Sequence, residues 1–411
     1  MINTETFELI SKKFGTPAYV YEQEMFRQQL LVLANAIYWR PLAILYAVKA
    51  NSSFRVLRTL ASQRLSKGVT FGVDAVSPGE VALALRAGVP SRNIIFTGNN
   101  ASKEEIEVVH KNRIMVNIDA APTLHWFGKR YPGSSVCIRI NSNVGAGHHS
   151  HCITGGPDSK FGIWFSKARS IQDVADKYDL KIVGVHQHIG SQILDPETFL
   201  YAMDAILQTA PVFRDLNFVD FGGGFGVPYS PEENPLDIQT LGKAMSEKFA
   251  AFCKKYGRQL QMIIEPGRYL TAQAGYLLVR VTTVKHNPDS DGGPGKVFVG
   301  VDSGFNHLDR PARYGSYHHI VNISNPNPQR TKVIVVGNLC ESGDKFTPEE
   351  REVAGPKEGD LLVIENAGAY GFCMSSNYNL RPKPPEIMVT PKGVIREIRK
   401  RQTVEELVAN A

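Results

Sequence analysis

Residues 42–51 read Leu-Ala-Ile-Leu-Tyr-Ala-Val-Lys-Ala-Asn. The first seven are apolar and rich in strand-favouring types, and Lys49 stands where the run ends. This is the pattern of a buried strand that delivers one amine at its exit. Such an amine is costly to desolvate unless its ammonium is paired or its nitrogen is covalently engaged. A lysine of lowered pKa is what Schiff-base chemistry requires. A surface lysine just past a strand end is the plainer alternative, so the neighbouring sequence has to decide.

Seven further short apolar runs follow, at 68–73, 94–97, 113–118, 135–140, 182–187, 217–221 and 261–264. Helical periodicity fills most of the gaps, at 79–87, 102–111, 121–130, 166–179, 196–213 and 238–256. Strands alternating with helices predict a parallel sheet, and eight such units predict a closed (β/α)8 TIM-type barrel rather than an open doubly wound sheet. The runs exit into Lys49, Asp74, Asn99, Asp119, Asn141, His188, Gly222 to Gly224, and Glu265. Active sites of such barrels lie at the carboxyl ends of the strands, so these residues are expected around one mouth.

Beyond residue 272 the texture changes. Short β-rich runs at 276–284, 297–301, 332–337, 361–364, 386–389 and 394–398 are separated by Gly, Pro, Asn and Asp. They predict a C-terminal all-β domain, sandwich or barrel-like. The expected division is an N-terminal segment 1–35 joining the β domain through a strand at 18–21, a barrel over 36–272 and the β domain over 273–411.

The composition suits a globular protein: 43% hydrophobic and 21% charged residues over 411 positions. No run approaches a membrane span, and no signal peptide is visible. Five scattered cysteines give no disulfide framework, so a cytoplasmic setting is expected. The net charge of +6 is spread along the chain. The basic stretch Arg396 to Arg401 alternates as a strand face would, and no nucleic-acid recognition motif accompanies it.

Several clusters carry chemistry. Phe221-Gly222-Gly223-Gly224-Phe225-Gly226 lets backbone N–H groups approach a phosphate, although it is neither a P-loop nor a Rossmann fingerprint. Glu265-Pro266-Gly267-Arg268 offers a carboxylate for a protonated ring nitrogen and an arginine for phosphate or carboxylate; a strand-end ion pair between the two is the alternative. His186 and His188 share a strand face, and His188 could stack on an aromatic cofactor, act as a base or bind a metal. His148-His149-Ser150-His151-Cys152 reads as part of a lid over the mouth, with a structural metal as the lesser reading. Cys340, followed by Glu341-Ser342-Gly343-Asp344, suits an accessible thiol that transfers a proton.

A lysine, a phosphate loop, a ring-stacking histidine and a pyridinium carboxylate on one barrel point to pyridoxal 5'-phosphate, with no resident metal. At this point the chain resembles the fold type III pyridoxal-phosphate-dependent amino-acid decarboxylases, most of all their diaminopimelate-cleaving branch. The matching stretches are Tyr46 to Asn51, Thr154 to Trp164, His188 to Ser191, Gly222 to Gly224 and Glu265 to Arg268. They continue through Arg310 to Tyr314, Cys340 to Asp344, Gly368 to Gly371, Ser375 to Asn379 and Arg401 to Thr403.

The resemblance implies that Lys49 carries the cofactor, His188 stacks on its ring and Glu265 keeps its nitrogen protonated. It places Ser191, Gly222, Gly223, Gly224, Gly267, Arg268 and Tyr370 around the phosphate. Arg268, Arg310, Tyr314 and Tyr370 would meet the substrate, with Glu341 at its distal ammonium. Cys340 would return a proton from the partner subunit of a homodimer that shares its active sites. The expected reaction is loss of carbon dioxide from meso-diaminopimelate to give L-lysine. A sister decarboxylase for another diamino acid or carboxylated polyamine, an alanine-racemase-like enzyme and a non-catalytic homologue are the alternatives.

Overall fold

The structure is a computed structural model that describes all of the chain except residues 1, 148, 150–152, 290–291, 293–294, 326–328 and 410–411. It divides into two units: an α/β unit of residues 27–227 and 234–270, and a β-rich unit of residues 1–26, 228–233 and 271–411.

In the α/β unit, eight parallel strands form a ring, and the two-residue strand Ile163–Trp164 adds on beside Ser135–Asn141. Leu42–Ala47 pairs with Val69–Ala75, and pairing passes on through Ile94–Phe96, Met115–Ile118 and Ser135–Asn141. It continues through Lys181–His186, Phe218–Asp220 and Gln261–Ile264, which pairs back to Leu42–Ala47. The eight strands therefore close on themselves, and each of the eight predicted runs overlaps one of them. Closure removes both sheet edges, which suits strands apolar on both faces.

The helices between them lie at Phe54–Ala61, Pro78–Arg86, Lys103–Lys111, Ala121–Arg130, Ala168–Lys177, Pro196–Thr209 and Ile238–Tyr256. Local chemistry sets their starts. Ser77 caps Pro78–Arg86, Ser102 and Glu105 form a capping box, and Asp195 and Asp237 accept first-turn N–H groups. Phe54–Ala61 has no counterpart among the predicted helices. It is only 8 residues long, and its buried Val56, Leu57, Thr59 and Leu60 draw their stability from packing rather than length.

The β-rich unit holds a nine-stranded mixed sheet. Ala18–Glu22 lies inside it, antiparallel to Gly275–Asn287 and parallel to Glu386–Val389. Phe7 and Ile10 of the helix Thr4–Phe14 pack on Val20, Leu278, Val363 and Ile387. The strands Ile320–Asn322 and Arg351–Ala354 were not expected from the sequence, being short and only partly apolar. Among the described residues no helix is long and apolar enough to cross a membrane.

Candidate active site

The strand ring builds its interior in steps of two residues, the period of a β-strand. Leu45, Ile95, Cys137, Phe218 and Ile263 pack together as an apolar floor, with Met115 against them. Val183 joins the floor at a register shift between the strands Ser135–Asn141 and Lys181–His186. Two residues beyond the floor on their strands stand Thr97, Asn117, Arg139, Asp220 and Glu265, accompanied by Asp74 and His186, none more than 6% exposed. Another step of two reaches Lys49, Asn99, Asp119, Asn141, His188, Gly222 and Gly267.

The polar step is an electrostatic unit. His186 Nε2 lies 3.1 Å from Glu265 Oε2, and the ligand atoms of His186, Asp220 and Glu265 lie within 4.8 Å of one another. Burial pushes the Asp220 carboxyl well up, and the neighbouring Glu265 charge adds to it. Burial also raises Glu265, but Lys49 and Arg139 oppose the rise. Burial therefore favours the protonated form more strongly at Asp220 than at Glu265, where the two cations oppose it. His186 is driven well below the ordinary imidazole range by burial and then by Arg139, so it is neutral and donates Nε2–H to Glu265.

Glu265 Oε1, Asp220 Oδ2 and His186 Nδ1 find no hydrogen-bond partner among the described residues. The three could ligate a metal, the two carboxylates reaching His186 from other strands. The positive charge they call for is instead supplied by Arg139 and Lys49, the cations that oppose the rise of Glu265.

Lys49 lies in the short turn Val48–Ala50 after its strand. It is not a deeply buried amine. Its side chain is 34% exposed, and Nζ lies 2.5 Å from Oδ2 of the fully buried Asp74. Burial, then Glu265, raises the Asp74 carboxyl, and Lys49 pulls it back down. Glu80, which accepts the Val76 N–H at 2.8 Å, is raised to about 7 by burial, with Asp74 adding to the rise.

The glycine loop is required by close backbone approach. A Cβ at Gly222 would stand 2.2 Å from the Gln187 carbonyl, and one at Gly223 would stand 2.3 Å from the Glu265 carbonyl. The Gly222 N–H donates to Asp220 Oδ1 at 2.9 Å and the Gly223 N–H to His188 Nδ1 at 3.0 Å. Two of the amides expected to face a phosphate are thus used to hold Asp220 and His188. Since Nδ1 accepts, the neutral His188 carries its proton on Nε2. Burial, then Lys49, holds its pKa well below the usual range.

Arg268 donates from NH2 to Ser191 Oγ at 2.9 Å, which brings two of the expected phosphate residues together. The described part of the 143–160 loop is tied to the same neighbourhood. Thr154 Oγ1 donates to the His188 carbonyl at 2.9 Å, and Ala146–Gly147 pairs with Gly190–Ser191. His148 and Ser150 to Cys152, part of the stretch read as a lid or metal loop, lie outside the described residues.

The other expected residues belong to the β-rich unit. Arg310 starts the helix Arg310–Tyr314 and is only 1% exposed. Asp309 pairs with Arg313, while Arg310 bonds His318 and Ser316. Cys340 is exposed, and its N–H donates to Asn379 Oδ1 at 2.8 Å. Asp344 shapes that loop by accepting the N–H groups of Leu339 at 2.8 Å and Phe305 at 2.7 Å. Glu341 is exposed, with Oε1 accepting the Gly343 N–H at 3.1 Å. Tyr370 sits in a turn at φ +53°, a conformation uncommon for its type.

Sequence reasoning named Asp74 only as a strand exit and missed Arg139 and Asp220 altogether. The signal was present. Each of the latter two lies two residues before a strand exit, at Asn141 and Gly222, and so faces the same way as that exit.

Residues 23–272 match the family profile of the pyridoxal-binding domain of pyridoxal-dependent decarboxylases. The chain is 40% identical over 409 residues to the diaminopimelate decarboxylase of Methanothermobacter thermautotrophicus, covering 97% of this chain and 92% of that protein. It is 36% identical over 426 residues to the Escherichia coli K12 diaminopimelate decarboxylase, covering 99% and 96%. The crystal structure of Helicobacter pylori diaminopimelate decarboxylase complexed with L-lysine superposes with a TM-score of 0.87 at 34% identity, covering 98% of both chains.

Proposed function

The chain belongs to the pyridoxal-dependent decarboxylase family, and from that premise we propose that it converts meso-diaminopimelate to L-lysine and carbon dioxide. The observation that carries this reading is Glu265: a buried carboxylate with one oxygen unpartnered among the described residues, on the same strand ring as an exit lysine. The similarity to diaminopimelate decarboxylases along the whole chain supplies the substrate. The ring of strands and helices is read as a (β/α)8 TIM-type barrel.

The residues fit pyridoxal phosphate. Glu265 Oε1 awaits a donor such as a protonated ring nitrogen, and Ser191 with Arg268 forms a polar, cationic corner suited to a phosphate. When bound, the cofactor supplies an electron-accepting ring that takes up the electrons left as carbon dioxide departs. Lys49 is the amine that holds it, and Asp74 keeps that nitrogen positioned and charge-compensated. Glu265, oriented by His186, would face the ring nitrogen and favour its charged form, with Lys49 and Arg139 opposing the rise of its own carboxyl. His188, fixed by the Gly223 N–H, offers its ring face to the cofactor. Gly224, Gly267 and Tyr370 complete the phosphate set.

On the substrate side, Arg268, Arg310 and Tyr314 are assigned to carboxylates and Glu341 to the distal ammonium. Ornithine or lysine would leave an arginine placed for a second carboxylate unmatched, which discriminates strongly. Cys340 is assigned as the proton donor, reaching the substrate from the partner subunit of a homodimer. The protein is read as cytoplasmic.

The test is direct. Purified protein given pyridoxal phosphate should release carbon dioxide from meso-diaminopimelate and accumulate L-lysine, with little release from lysine or ornithine. Preferential turnover of a monocarboxylate diamino acid, or racemisation without gas release, would overturn the assignment.

A further inference from the structure

Arg310 is among the largest fully buried side chains in the molecule. A buried guanidinium is tolerated only where its charge and N–H groups are met. Its Cζ lies 4.4 Å from the centre of the Tyr229 ring, NH1 lies 3.0 Å from His318 Nε2, and NH2 donates to Ser316 Oγ at 3.2 Å. On the opposite side of the imidazole, His318 Nδ1 lies 2.8 Å from the Glu365 carbonyl oxygen.

These contacts fix the protonation of His318 without ambiguity. A carbonyl oxygen only accepts, so Nδ1 carries a hydrogen; a guanidinium only donates, so Nε2 presents its lone pair. The imidazole is neutral, in one tautomer and anchored at both ends. Tyr229 also meets the His318 ring edge-on at 5.1 Å. Tyr229 lies in the 228–233 segment, which groups with the β-rich unit although its flanks do not, and Asn366 Nδ2 donates to the Pro228 carbonyl at 3.1 Å.

We infer that His318 and Tyr229 are specificity-determining positioning residues that hold the plane of the Arg310 guanidinium ready for the second carboxylate of a dicarboxylic amino-acid substrate. The inference rests on the assignment of Arg310 to that carboxylate. Two N–H groups in one plane recognise a carboxylate bidentately, so fixing the plane in advance lowers the ordering cost when substrate arrives. One ring fixes the face of the guanidinium and the other fixes an edge.

Two substitutions at His318 separate this from a merely structural role. His318→Asn retains an amide donor at the reach of Nδ1 for the Glu365 carbonyl but places no acceptor at the reach of Nε2; His318→Gln restores that acceptor. His318→Asn should raise KM for meso-diaminopimelate by about tenfold or more while kcat stays within about threefold. His318→Gln should recover most of the loss. In an Arg310→Gln background His318→Asn should add nothing, and cofactor absorbance should be unchanged throughout. If His318→Asn does not fold, Tyr229→Phe and Tyr229→Leu carry the same test, with KM preserved in the first and raised in the second.

Arg310→Gln raising KM while neither His318→Asn nor Tyr229→Leu does so would overturn the positioning role and leave Arg310 in place. Arg310→Gln leaving KM unchanged would remove the carboxylate assignment and this inference with it. An equal effect of His318→Asn with and without Arg310 would show the histidine to be structural.

Discussion

Ile263 and Glu265 lie two residues apart at the end of one strand, yet they belong to different kinds of interior. Ile263 packs in the apolar floor, where the requirement is volume. Glu265 is as deeply buried, but it is held by a hydrogen bond to His186 and by the charges of Lys49 and Arg139, beside the Asp220 carboxyl. The floor tolerates substitution in proportion to the space left empty. The polar step does not, because removing one member leaves the others unpaired in a low-dielectric setting. Stability and activity should therefore separate along a single strand.

The largest expected effect is at the exit of the ring. Lys49→Ala should abolish carbon dioxide release and the visible absorption of bound cofactor, with the circular dichroism of the fold retained. Turnover persisting with that absorption would break the contrast at its root. Next comes Glu265→Gln, expected to slow turnover roughly 10²–10³-fold, comparable with the loss of other preorganised electrostatic groups. Its melting temperature should also fall, since Arg139 and Lys49 lose the carboxylate that compensates their charge. A fall in stability with normal turnover would assign Glu265 to the floor's kind of interior.

A smaller effect should appear in the pH dependence of stability. Glu80 is raised from the ordinary carboxylate range to about 7 by burial and Asp74. The folded state therefore holds a proton that the unfolded state releases near pH 4.5. Its contribution is fully present below about pH 4.5 and is lost as pH rises towards 7, amounting to about 1–2 kcal/mol after allowance for partial exposure. Denaturant titrations at several pH values should show that decline, and Glu80→Gln should flatten it. The smallest effect belongs to Ile263→Val, which should cost about 1 kcal/mol of stability and leave kcat and KM unchanged.

The eight strand runs were legible because strands covered on both faces are apolar almost throughout, and their exits stood out as polar punctuation. Lys49, His188 and Glu265 could be read from those exits. Asp74 was read only as an exit and His186 only as sharing the face of His188, while Arg139 and Asp220 needed the next inference, that the residue two positions earlier faces the same interior. Their pairing was out of reach, since it depends on which strands adjoin and in what register. Short elements whose stability comes from tertiary packing, such as the helix Phe54–Ala61 and the strand Arg351–Ala354, were hidden for the same reason. The tautomer of His318 depends on a carbonyl 47 residues away and leaves no local trace.

The position of Ala18–Glu22 inside its sheet has a consequence for biosynthesis. Its flanking strands come from Gly275–Asn287 and Glu386–Val389, so this segment has both neighbours only once residue 389 has been made. The parallel ring, by contrast, has all its strands once residue 264 has emerged. On the ribosome the ring can close while Ala18–Glu22 still waits for its partners, its apolar side chains and backbone groups open to other chains over that interval.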